Sequence, residues 1–194
     1  MFVCLGLSLF ALGVTHELGW SVHLVLGPGH AFTRWDDGKG TQVNMDQGVH
    51  KTDAEYMKLL TINPLTVTRK GYLVNLTRDH LVATALYTLI TYKAMARRSH
   101  EALAEATTAV ALHPTSPIAH EAHGIVLSSK GEYTKAIAAY DKTLYYDPNR
   151  ASVYYFRGML HQRLGDTAKA TLDYDKAKAL DPTEEYKKQV VTHP

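Results

Sequence analysis

The only cysteine of the chain, Cys4, stands just before a mostly apolar stretch, and His30 opens a strand-like segment further on. Gln42, Asn44 and Asp46 follow, alternating with Val43 and Met45, so the three polar side chains share one face of an extended strand. A thiol at a helix N-terminus is a chemical opportunity. The helix dipole and its unpaired amides favour the thiolate, and a nearby imidazole favours it further. Histidine would take the thiol proton and later return it to a leaving amine, while an amide or carboxylate orients the ring through its other nitrogen. Cys4, His30 and either Asn44 or Asp46 are therefore a candidate nucleophile, base and orienting group, in that chain order.

The elements that must position them are readable in outline. "CLGLSLFALGVTHELG" is an apolar helix ended by Thr15, His16 and Glu17, with Gly19 at its C-cap. No Lys or Arg precedes the apolar run and no A-x-A-like site follows it, so a buried helix is expected rather than a signal peptide. It is also short of the roughly 20 apolar residues that span a bilayer. "WSVHLVL" and "HAFTRW" alternate as strands around Gly27-Pro28-Gly29, "DDGKG" is a hairpin turn, and "TQVNM" is a third strand. "DAEYMKLL" from Asp53 suggests a helix. "TVTRKGYLVNLTRDHL" then leads onward, with Thr77 or Asp79 as a helix cap. The order is an α+β pattern with a short antiparallel sheet.

"CLGLSLFALGVTHELGWSVHLVLGPGHAFTRWDDGKGTQVNMDQG" resembles the core of transglutaminase-like, papain-fold proteins, in a version followed by tetratricopeptide repeats. The resemblance covers roughly residues 3 to 80. It implies Cys4 as nucleophile, His30 as base and Asn44 as orienting residue, with Asp46 the rival for the third role. The implied activity is acyl transfer, amidase or peptidase chemistry at glutamine or peptide amides, with no cofactor. Only Met1-Phe2-Val3 precede Cys4, so the segment would be incomplete at its N-terminus and would lack the upstream oxyanion donor usual in that family. Losing one such donor costs on the order of 10²–10³ in rate.

The rest of the chain repeats itself. Pro114, Pro148 and Pro182 are 34 residues apart, the tetratricopeptide period. In that register Ala102, Ala136 and Ala170 share a column, Ile90, Gly124 and Gly158 share another, and Gly131 and Gly165 fall in inter-helix turns. Small residues let the helices of a hairpin approach, Tyr140 and Tyr174 fill the gap to the next repeat, and proline ends each second helix. The chain thus resembles three tetratricopeptide repeats over 83–116, 117–150 and 151–184, an all-α superhelix following an α+β segment at 1–82. The first repeat is worn, with Arg98 for a turn glycine and Ala106 for a large ring. In the tail, 185–194, Tyr186 and Val190 lie four apart and predict a capping helix.

By this register the first helix of each hairpin lines a groove for a protein or peptide partner. The groove residues are Thr84, Tyr87, Thr91 and Met95, then Glu121, Ile125 and Ser129, then Tyr155, Met159 and Arg163. They differ from the Lys/Asn/Arg clamp that some members use for a terminal carboxylate, so no strong preference for acidic C-termini is expected. Composition narrows the alternatives. A net charge of +2 with no basic stripe implies no nucleic-acid partner. One cysteine cannot form an intramolecular disulfide and fits a reducing compartment, so a cytoplasmic location is expected. "HEAH" at 120–123 spaces its histidines three apart, not four, and no metal site is expected.

Overall fold

In a computed structural model of the chain, residues 21–28, 30–46, 49–96 and 98–187 are described, the side chain of Met95 excepted. The chain divides after Arg78 into two compact units. The expected apolar helix and Cys4 lie outside the described residues.

The first unit is built on an antiparallel meander of β1 (Val22–Gly27), β2 (His30–Asp36), β3 (Gln42–Asp46) and β4 (Val49–Lys51), adjacent in chain order. The three expected strands are present. β4 is a fourth, too short at three residues to show an alternation. The β2–β3 turn uses Gly38 (φ 70°) and Gly40 (φ 105°), while the Asp37 carboxylate accepts from the amides of Lys39 and Thr41. Those amide bonds hold the Asp37 carboxyl below the usual carboxylate range. Helix α1 (Asp53–Leu59) is the one expected from Asp53, started by a capping box between Thr52 and Glu55. Helix α2 (Pro64–Thr68) was not expected and runs into the start of the stretch read only as leading onward. Its start was legible, since Asn63 caps it and Pro64 opens it. Tyr56 of α1 lays its ring flat on Phe32 of β2, centroids 4.0 Å apart, and both are fully buried. The outer edge of β1 is covered by the segment after α2, where the amides of Leu73 and Leu76 donate to the carbonyls of Leu26 and Leu24.

In the second unit the described residues form six helices, paired as hairpins: α3 (Arg78–Met95) with α4 (Ser99–Leu112), α5 (Pro117–Ser129) with α6 (Tyr133–Tyr146), and α7 (Ala151–Arg163) with α8 (Thr167–Leu180). Helix α3 starts directly after Thr77 and five residues ahead of the 34-residue register. Gly131 (φ 76°) and Gly165 (φ 82°) occupy the left-handed positions of the last two inter-helix turns. Arg98 is not their counterpart. It precedes α4 as N-cap, in the column of Glu132 and Asp166, the N-caps of α6 and α8, and the glycine column falls on position 97. Tight packing of the last two hairpins depends on the glycine column. A methyl at Gly124 would sit 2.5 Å from the Tyr140 ring, and one at Gly158 would sit 2.8 Å from Tyr174. After α8, a single turn at 185–187 buries Tyr186 with its ring centroid 5.2 Å from Tyr155. The rest of the expected capping helix, Val190 included, lies outside the described residues.

Candidate functional site

β2 and β3 carry a polar row on one sheet face. Cross-strand partners share a face, so the pairing of Arg34 with Asn44 and of Asp36 with Gln42 aligns His30, Phe32, Arg34 and Asp36 with Gln42, Asn44 and Asp46. At one end of the row, His30 Nε2 lies 2.8 Å from Asp46 Oδ2, with both side chains partly open to solvent. The two candidates for the orienting role therefore separate. Asp46 meets the imidazole. Asn44, which the family resemblance favoured, is engaged elsewhere: it accepts from Arg34 Nε at 2.7 Å and donates to Asp53 at 2.7 Å. Because Asp46 occupies Nε2, Nδ1 is the His30 nitrogen left to exchange a proton with a reacting group. The wall beside the pair is aromatic, with the Tyr56 and Phe32 centroids 6.1 and 6.4 Å from that of His30. Burial, and then the Asp46 charge, hold the Tyr56 hydroxyl protonated well above the usual tyrosine range.

Sequence reasoning passed over Arg34, the hub of this face. It is buried, and its guanidinium reaches Asn44, Asp53 at 2.5 Å, the Leu73 carbonyl at 3.1 Å and the Asn75 side-chain oxygen at 3.3 Å. Leu73 adopts the left-handed conformation (φ 57°) that aims its carbonyl at the guanidinium, costly for a residue with a Cβ and held by that bond. The hub fixes β3, the start of α1 and the segment after α2 against β2, and so fixes where Asp46 stands. The place of Arg34 in "HAFTRW", on the same strand parity as His30 and Phe32, was the available signal.

In the second unit the expected groove residues differ in depth. Ile125, Ser129, Met159 and Arg163 line one small cavity together with Tyr140 and Phe156. Thr84, Tyr87, Thr91 and Tyr155 are half-buried. Glu121 and Ile125, expected on the open face, are each only 4% exposed. Arg150, at the head of α7, reaches back to pair with Glu121 and lies 3.7 Å from Asp147. Burial raises the Glu121 carboxyl against the opposing pull of Arg150, and the Glu121 charge, followed by burial, keeps the Tyr87 hydroxyl protonated. Glu121 thus ties α5 to the head of α7 from inside. Ser129 donates within the unit at 2.7 Å from Ser99, and Arg163 donates to the Tyr133 hydroxyl at 3.0 Å.

Among the described residues, no group of three or more His, Cys, Asp or Glu side chains is arranged to hold a metal ion, and no helix is long and apolar enough to cross a membrane.

Comparison with known proteins bears on the repeats. Family models for the TPR repeat and the tetratricopeptide repeat match residues 124–165 and 151–184. A wheat (Triticum aestivum) Hsp70-Hsp90 organizing protein is 36% identical over 90 residues, which are 46% of this chain and 16% of that protein. The chain therefore spans a small part of that relative's length. Among solved structures, YrrB, described as a TPR protein with an unusual peptide-binding site, superposes with a TM-score of 0.51 at 22% identity, over 56% of each chain. The TPR domain of Arabidopsis OM64 does so with a TM-score of 0.53 at 15% identity, over 57% of this chain and 91% of that one. At those identities the structures speak to the fold alone. With the 34-residue register, the left-handed turn glycines and the ring-on-glycine packing, these matches identify tetratricopeptide repeats over residues 124–184, and the solved structures share the paired-helix fold of the second unit.

Proposed function

We propose that the repeats hold a protein or peptide partner along the face shared by α3, α5 and α7. The observation that carries this reading is the half-open row of Thr84, Tyr87, Thr91, Tyr155 and Met159, ending at the exposed Arg163. It offers rings, hydroxyls and a thioether to an extended ligand, the mixture that protein interfaces favour. The wheat relative, named an organizing protein, and the peptide-binding site of YrrB support it. Panning a random peptide phage library on the full chain should yield binders without enrichment of acidic C-termini. Joint replacement of Tyr155 and Met159 by Ala should weaken them by at least about tenfold, the expectation for hot-spot side chains. Binders that tolerate this double variant would place the partner elsewhere.

A second reading is favoured by one observation, the His30–Asp46 pair. In it the first unit is a transglutaminase-like segment in which Cys4 attacks an amide carbonyl, His30 carries the proton to the leaving amine, and Asp46 rather than Asn44 holds the ring. Because the chain has one cysteine, alkylation with iodoacetamide reports on Cys4 alone. A working pair makes alkylation persist well below the ordinary thiol pKa of about 8.5, and His30→Ala or Asp46→Asn moves its midpoint back up. An ordinary midpoint that His30→Ala leaves in place would end the enzymatic reading and leave the partner-binding one untouched.

A further inference from the structure

His113 occupies a position that the other repeats fill differently. In the 34-residue register it shares a column with Asp147 and Asp181, which follow α6 and α8. Those carboxylates accept from the amides two residues on, Asn149 and Thr183, and so shape the turn to the next repeat. His113 makes no such bond. It is 3% exposed, and neither ring nitrogen has a hydrogen-bond partner. Its ring is instead stacked on His80 from the first turn of α3, centroids 3.9 Å apart and planes 13° apart. A third imidazole stands close by. His120 of α5 binds the Pro114 carbonyl through Nε2 at 2.8 Å and stacks on Tyr146 of α6 at 5.6 Å.

We propose that the His80–His113 stack, with His120 behind it, is an acid-sensitive latch holding the start of α3 to the turn between α4 and α5. While the rings are neutral, stacking and burial favour the closed junction. A proton on His113 has no acceptor to meet, and protons on both rings place two cations face to face. The groups facing the latch mostly oppose charge. On α3, Asp79 favours a proton on His80, but burial outweighs it. On α5, His120 and His123 are themselves held neutral by burial, His123 with some relief from Glu132. On α6, Lys142 adds positive charge near His120, against the pull of the Pro114 carbonyl. Burial first, then His80 and His120, press His113 down to about 4 from an ordinary value near 6.5.

The sign follows from linkage. A histidine depressed in the closed state contributes fully above its ordinary pKa, and the contribution is lost as pH falls towards the depressed value. Between pH 7 and pH 5, His113 alone should raise the opening equilibrium by about 20-fold. Hydrogen exchange of the full chain at the two pH values, corrected for intrinsic exchange, should show that loss of protection in α4 and the start of α5 but not in α8. His113→Phe, which keeps a neutral stack, should abolish the difference. His113→Asn, which can restore the turn bond without a charge, should do the same and guards against a variant that fails to fold. Equal loss in α8, or acid opening that persists in the folded variants, would overturn the latch, as would an NMR titration of His113 at or above 6.5.

Discussion

Replacing Arg34 by Met should destabilise the first unit by about 3–5 kcal/mol, the usual cost of removing one partner from a buried charged network. The reason is the number of groups left behind. Asn44, the Leu73 carbonyl and Asn75 all lose the donor that satisfies them away from water. The Asp53 contact adds less, because that carboxylate is 41% exposed and its attraction is screened. Arg34→Lys should recover little, since an ammonium cannot reproduce the planar fork that meets several acceptors at once. Both tryptophans of the sequence, Trp20 and Trp35, precede Asp79 in the chain, so urea unfolding followed by tryptophan fluorescence carries no signal from a tryptophan of the repeats. A loss under about 1 kcal/mol would mean that water replaces the guanidinium and that the network is peripheral. A large loss joined to a Cys4 alkylation midpoint that no longer responds to Asp46→Asn would show that the hub also sets the His30–Asp46 geometry.

The second large effect lies in the packing columns of the repeats. Gly124 and Gly158 leave room for the rings of Tyr140 and Tyr174, whereas the first repeat has Ile90 in the glycine column and Ala106 in the ring column. Both Ile90 and Ala106 are fully buried, and Ile90 has the bulk to fill from the opposite helix the volume that a ring takes in the later repeats. A size exchange between the two columns then accounts for what reads as wear in the sequence. Ala106→Tyr alone should overpack this hairpin and cost about 3 kcal/mol or more. Ile90→Gly alone should cost about 4–5 kcal/mol through the cavity and the helical glycine. Together they should cost well under the sum, with a coupling of about 2–3 kcal/mol, because the pair recreates the arrangement of the later repeats. Gly124→Ala should cost about 1–3 kcal/mol, since the Tyr140 ring it meets is itself buried. Urea unfolding followed by far-ultraviolet dichroism checks all four. Additive costs in the Ile90/Ala106 cycle would show that the two columns do not exchange volume.

The tertiary structure revised the sequence reading at identifiable places. Period two put Asn44 and Asp46 on one strand face, and nothing local could choose between them. The choice came from register: Arg34 stands opposite Asn44 and takes it, which leaves Asp46 for His30. The repeat register put Glu121 and Ile125 on the groove side of α5, but both are buried there, and Glu121 is met by Arg150 from the head of α7. β4 is held by pairing with β3 and has no pattern of its own.

The sequence by itself determined the repeat period, the hairpin boundaries marked by Gly131, Gly165 and the three prolines, and the short antiparallel strands with their turns. These follow from backbone preferences and from side-chain periodicity along one element, and both are local. Only the tertiary structure decided which side chain Asp46 serves, that Arg34 organises its surroundings, that Ile90 and Ala106 are both fully buried, and that His113 stacks on His80. Each depends on a partner far along the chain, and its free energy exists only once packing has excluded water from both.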